Sequence, residues 1–441
     1  MQSSGHNESQ LALRRILGNF GWLLGGKGFG AVSSLIYLAI LARSLGVKDF
    51  GHFALIFGLA QAFVLLAGFQ TWQVIVKFGT PHLARDDKEA FARLSILGGV
   101  VDLAASLAGC VLVTGIILMF GKSLGLNPAF DKMALVFICA MLLTRVSAPY
   151  GIIRALNRFE LSVWAGAITP TGRLLAAIAI WLTGPSVGRF LLAWAIVELI
   201  TAVTMWYVAW RLGSEWFRLG RFRELRRSVA ENPTITQFLW VTYWNTSLQA
   251  VVQQGPLVAV GYLFGTSAAG VYRIADQLAK GLSRFAVLIS DAIYPEVNRQ
   301  RHLSGVEDFQ MISRRVTLAV VPTAAALSGL AVLFGSDLLS LISGPGFEAG
   351  DVILVPLILA ASMELASVVY EPVLHSVSKA HYILITRLGT VSLLAVAILT
   401  TAQSPLGVSW LVALVQVSEY VILSLLVWWV LRNMVRTSSE Q

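Results

Sequence analysis

Apolar residues run through this chain in long, continuous stretches separated by short polar segments. A span of the bilayer core needs about 20 mainly apolar residues. The runs predict helices near 20–42, 50–76, 93–119, 131–153, 160–183, 189–211, 236–263, 270–296, 312–334, 350–375, 382–402 and 407–431, about twelve in all. Inside hydrocarbon every backbone group must find its partner within the protein. The expected class is therefore an all-α integral membrane protein; a closed barrel would need short alternating strands instead.

Composition agrees. Soluble domains carry about 25% charged residues, whereas this chain of 441 has 13% charged and 56% hydrophobic residues and a mean hydropathy of +0.73. The run beginning GNFGWLLGGKGFG is too long for a signal-peptide core and is expected to stay as the first helix. Cys110 and Cys139 lie in apolar runs and are expected to be small buried side chains. No Cys, His and carboxylate cluster has metal-site spacing, and no GxxxxGK[ST] occurs, so neither a metal, a cofactor nor ATP hydrolysis is expected.

The Lys and Arg residues fix an expected orientation. Segments after even-numbered helices are basic, such as KFGTPHLARDDKEAFAR and NRQRHLSGVEDFQMISRR, and those after odd-numbered helices are nearly bare, such as FGTSAAG. Both termini are then cytoplasmic. The net charge of +9 follows from this topology and from anionic membrane lipids, so no nucleic-acid partner is needed. All the outside loops are short, which argues against an extracytoplasmic catalytic module and hence against an enzyme.

The longest cytoplasmic segment, with RLGRFRELRRS, is expected to be a basic surface helix that divides the chain nearly equally. The expected organisation is a six-helix lobe over 1–210, a linker over 211–235 and a second six-helix lobe over 236–441. LGVKDFGHF (45–53) and FGTSAAGVY (264–272) share Gly-x4-Gly-x-aromatic: Gly46, Gly51 and Phe53 against Gly265, Gly270 and Tyr272. Each lies between the first and second helices of its half, which supports two parallel repeats.

The eighth predicted span carries Arg273, Asp276, Lys280, Arg284 and Asp291. At 100° per residue these five fall within an arc of roughly 80°. A charge at the bilayer centre costs about 2.5–3.5 kcal/mol, so the stripe must face protein or water. Two readings stay open. Asp276 is placed to pair with Lys280 (i,i+4) and with Arg273 (i,i+3); alternatively the stripe lines a hydrated pathway for an anionic substrate. Further embedded cations are Lys27, Arg145 and Arg173. The acids Asp102, Asp276, Asp291, Glu198 and Glu364 are candidates for holding a coupling ion or for pairing with these cations. Arg offers bidentate donors to phosphate oxygens and Lys a point charge.

LARSLGVKDFGHFALIFGL, the G-x-Y-R-I-A-D-Q-L start of the eighth span and the LNRFE loop resemble the polysaccharide transporter family, the O-antigen and exopolysaccharide flippases. That family belongs to the multidrug/oligosaccharidyl-lipid/polysaccharide exporter superfamily. The resemblance implies two MATE-like six-helix lobes around a central cavity. It also implies translocation of an undecaprenyl-pyrophosphate-linked oligosaccharide across the bacterial inner membrane. Lys27, Arg273, Lys280 and Arg284 would meet the pyrophosphate, with Arg145 and Arg173 behind them. Partners would be the lipid-linked glycan, membrane lipids and polysaccharide polymerase or assembly proteins. Alternatives are a multidrug exporter of the same superfamily or a membrane-embedded polymerase or ligase.

Fusing green fluorescent protein to Gln441 should give a fluorescent product, and fusing alkaline phosphatase there an inactive one. Phosphatase activity from the C-terminal fusion would overturn the expected orientation.

Overall fold

The fold is known from a computed structural model. It describes the backbone of residues 2–120, 127–213, 224–281, 332–344, 350–367 and 380–439, with scattered positions between 322 and 374 besides. Side chains are described from residue 28 to 430 within those stretches. Among the described residues all regular structure is helical.

The helices are α1 (Gln2–Leu66), α2 (Thr71–Ala84), α3 (Lys88–Phe120), α4 (Asp131–Leu143), α5 (Ser147–Ala155), α6 (Phe159–Gly166), α7 (Ile168–Thr183), α8 (Val187–Leu212), α9 (Leu225–Glu231) and α10 (Ile235–Phe264). They continue with α11 (266–281), α12 (Val332–Ser343), and α13 (Gly350–Ser367), α14 (Ala380–Thr401) and α15 (Pro405–Ser439). Eight described segments are long and apolar enough to cross a membrane, and the protein is an all-helical, multi-pass membrane protein. Gly28–Ala84 runs 57 residues, far more than one crossing needs, and Gly46 divides it with φ of 71°. The ninth expected span and most of the eighth lie largely outside the described residues.

Three expected spans are not continuous. The second breaks over 67–70, between α1 and α2, the fourth over 144–146, between α4 and α5, and the fifth at Ala167, between α6 and α7. Hydropathy averaged over a whole span does not register these breaks because each is only one to four residues long within an apolar run. Elsewhere helix ends follow local chemistry. Ser186 caps α8 by accepting from the Arg189 N–H, and the Arg189 guanidinium donates to the Thr183 carbonyl at 2.9 Å, closing the end of α7.

The described chain forms two compact units. One comprises Met1–Tyr37 and Ile56–Ala250, the other Leu38–Leu55 and Val251–Gln441. Helices α1 and α10 each contribute to both. In the first unit Ile75, Phe91, Ile152, Ile153 and Met205 form a core where α2, α3, α5 and α8 meet. In the second, Tyr370, Leu374, Ile383, Leu423 and Val427 do so around α14 and α15. Val111, Leu118, Met119, Leu182 and Leu399 are exposed, as suits surfaces solvated by lipid tails. Cys110 and Cys139 are free and half-buried.

Both ends of α9 and the start of α3 share a buried cation. Arg93 is 3% exposed and lies 2.7 Å from Glu231 and 3.4 Å from Glu224, with Glu89 at 3.7 Å. A guanidinium held by three carboxylates ties α9 to the start of α3.

The repeated glycine motif has a geometric basis inside the second unit. Gly46 and Gly265 both take positive φ, 71° and 86°, which l-residues with a Cβ rarely adopt. Gly51 and Gly270 face each other: a Cβ on Gly270 would lie 3.0 Å from the Gly51 Cα, and one on Gly51 would overlap the Thr266 carbonyl. Phe53 and Tyr272, the aromatic members, are both buried. Gly51→Val should therefore lower stability by about 1–3 kcal/mol through overpacking, read as a lower thermal midpoint in detergent. Gly389→Ala, where an added Cβ meets nothing within 4 Å, should leave the midpoint unchanged or raised.

Candidate functional site

The breaks over 67–70 and 144–146 lie side by side in the first unit, and Asp102 of α3 joins them. Its Oδ2 accepts from the Thr71 hydroxyl at 2.8 Å and from the Ala148 N–H at 2.8 Å. The Ser147 hydroxyl lies 2.8 Å from that of Thr71 and accepts from the Trp72 N–H at 3.2 Å. One carboxylate thus serves the opening turns of α2 and α5. The first N–H groups of a helix have no partner of their own, and a negative charge there is favoured. The opposite requirement is met by Arg145, whose Nη2 donates to the Phe69 carbonyl at 2.9 Å. A Cβ on Gly68 would overlap the Arg145 guanidinium, so a larger residue there would displace that side chain from the Phe69 carbonyl.

Both side chains also line a cavity of about 370 Å3, with Ser95, Gly99, Leu103, Leu143 and Trp206. Phe69 continues the break outward, stacking on Tyr243 at 4.8 Å and meeting Trp240 edge-on at 5.7 Å.

A second cluster in the same unit pairs Arg173 with Glu198 at 2.6 Å. The Arg173 guanidinium carbon lies 5.2 Å from the Phe57 ring centre and 5.7 Å from that of Trp194, within cation–π range. Glu198 also lines a cavity of about 440 Å3 with Tyr150, Ser162, Thr169 and Thr201.

In the second unit the charged face of α11 is locally paired. Lys280 Nζ lies 2.8 Å from Asp276 Oδ1, and Arg273 Nη1 3.9 Å from Asp276 Oδ2. Both spacings expected from the sequence are realised as ion pairs. Lys280 also donates to the Gln253 carbonyl of α10 at 3.3 Å, three residues before Pro256 inside that helix. Arg273 and Asp276 are each 7% exposed.

Of the other expected site residues, Arg284 and Asp291 lie outside the described residues, as does the Lys27 side chain, whose backbone is in α1. Glu364 is exposed on α13. Arg387 and Glu419, 3.7 Å apart, form a further embedded pair. The structure thus brings Asp102 and Arg145 to one cavity, Arg173 to Glu198, and Arg273 and Lys280 to Asp276. Reading the sequence missed Thr71, Ser147 and the Phe69 carbonyl. The available signal was GFQT and TRVS, small and polar residues interrupting two apolar runs.

Residues 16–299 match the family model described as "Polysaccharide biosynthesis protein". Among curated proteins the chain is similar to Inner membrane protein YghQ of Escherichia coli (strain K12). It is 24% identical to it over 347 residues, covering 78% of this chain and 96% of that one. It is also similar to a putative O-antigen transporter of the same strain, with 24% identity over 188 residues, 42% of this chain and 43% of that one. Among solved structures it shares its fold with an inward-facing multidrug resistance MATE family transporter of the MOP superfamily. The TM-score is 0.70 at 14% identity, with 93% of this chain and 96% of that chain covered. The lipid II flippase MurJ in an inward closed conformation gives a TM-score of 0.68 at 13% identity, covering 90% and 85%.

Asp102→Ala leaves the Ala148 N–H without an acceptor and the Thr71 hydroxyl with only Ser147 Oγ. It should destabilise the protein by about 2–3 kcal/mol, while Asp102→Asn, which keeps an acceptor oxygen, should cost clearly less. Thermal midpoints of the two variants in detergent check the order.

Proposed function

The chain belongs to the polysaccharide biosynthesis protein family, and from that premise we propose that it is an inner-membrane flippase. It translocates an undecaprenyl-pyrophosphate-linked oligosaccharide, an O-antigen or exopolysaccharide repeat unit, from the cytoplasmic to the periplasmic leaflet by alternating access. The observation that carries this reading is that a polysaccharide-biosynthesis chain folds as membrane transporters do. The likeness to a putative O-antigen transporter supports the choice of substrate class.

Embedded cations support an anionic head group. Lys27, Arg273, Lys280 and Arg284 are assigned to the pyrophosphate, with Arg145 and Arg173 behind them. At Lys280 the reading has a specific chemistry. Removing the partner of an embedded charge is costly, whereas exchanging one anion for another keeps the ammonium compensated. A pyrophosphate oxygen would replace the Asp276 carboxylate at Lys280, and Lys280 would change partners without being left bare. The released Asp276, with Asp102, Asp291, Glu198 and Glu364, belongs to the acids from which a coupling ion could draw its ligands.

The test is a deletion strain complemented with variants, scored for surface glycan and for lipid-linked oligosaccharide in the inner membrane. Lys280→Ala, at unchanged protein level, should cut export at least about tenfold and let the lipid-linked precursor accumulate on the cytoplasmic side; Lys280→Arg should keep most of it. Full export by Lys280→Ala and by Arg273→Ala would remove both from the site. A deletion strain with normal glycans and lost drug resistance would replace the flippase with a multidrug exporter.

A further inference from the structure

The cavity beside Asp102 and Arg145 also carries polar groups, Ser95 and Ser106, that the flippase reading does not use. Ser95, Gly99, Asp102 and Ser106 recur along α3 at the spacing that puts them on one helix face, and all four line it. Among the described residues, three buried side-chain atoms of the lining residues have no hydrogen-bond partner: Ser95 Oγ, Asp102 Oδ1 and Arg145 Nη1. Ser95 is 1% and Asp102 4% exposed. Buried polar groups are hydrogen-bonded as a rule, and each exception asks for a reason. Three exceptions on one wall point to a ligand.

The atoms define its chemistry. Arg145 Nη1 donates, Asp102 Oδ1 accepts and the Ser95 hydroxyl does either. The guanidinium and the carboxylate offset each other, so the cavity favours neither a net anion nor a net cation. The remaining wall is apolar, and Leu103, Leu143 and Trp206 on it are exposed. Within the 33 residues of α3, Lys88–Phe120, Asp102 stands near the middle, at the depth of the hydrocarbon.

We propose that this cavity binds the hydroxyl of a neutral, largely apolar molecule drawn from the membrane, a lipid alcohol. The hydroxyl oxygen accepts from Arg145 Nη1, its proton is donated to Asp102 Oδ1, and the Ser95 hydroxyl closes the set. The apolar body lies along Leu103, Leu143 and Trp206. This stands independently of the glycan: the cavity can hold a lipid alcohol whether or not the chain is a flippase.

The purified protein in nanodiscs is irradiated with a photoactivatable diacylglycerol, and adducts are mapped by mass spectrometry. Labelling should fall on peptides of α3, α4 or α8 and be competed by unlabelled diacylglycerol. It should drop roughly fivefold for the methyl ether of the probe and for Ser95→Ala, the loss of about one hydrogen bond. Leu143→Trp, which fills the cavity without touching the bonds of Asp102, should abolish labelling at an unchanged thermal midpoint. Equal labelling by the ether, or undiminished labelling of Leu143→Trp, overturns the proposal and leaves the cavity to water. Competition by methyl glucoside in place of diacylglycerol overturns the lipid source and gives the hydroxyl to a sugar.

Discussion

Hydrocarbon offers no hydrogen bonds, so a helix that stops and restarts inside a membrane must have its loose ends closed by the protein itself. In the first unit Asp102 and Arg145 do this for two interrupted helices at once. The carboxylate accepts from the beginnings of α2 and α5, and the guanidinium donates to the Phe69 carbonyl, in the break after α1. One backbone donor, the Ala148 N–H, and one backbone acceptor, the Phe69 carbonyl, are thus matched to side chains of opposite character. The packing of α2 and α5 against α3, and the cavity next to them, depend on that match.

In the second unit Lys280 gives its ammonium to the Gln253 carbonyl of α10 as well as to Asp276. Arg145, Arg173, Arg273 and Lys280 are each held within their own unit by a carboxylate, a backbone carbonyl, or both.

The glycine motif shows how an internal repeat becomes structure. Two segments more than 200 positions apart share spacing because both need a positive-φ glycine at a helix junction and a second glycine where backbones touch. Gly51 and Gly270 meet each other, so each copy is the reason the other has no side chain there. Spacing in the sequence carried the repeat; the contact between its copies is a matter of folding.

Some features are legible without coordinates. Long apolar runs dictate membrane helices, because backbone satisfaction leaves few other choices, and the i,i+3 and i,i+4 spacing within α11 places Asp276 against Arg273 and Lys280, because those pairs are local. What the sequence could not rank were contacts between distant helices. Asp102 and Arg145 were visible as embedded charges, yet nothing local tells that they close two breaks or line one cavity; Arg93 drew no notice, though it gathers Glu89, Glu224 and Glu231. Local periodicity is set by a few neighbouring residues, whereas the partners of a buried charge are chosen by how helices far apart in the chain pack, and that the tertiary structure alone decides.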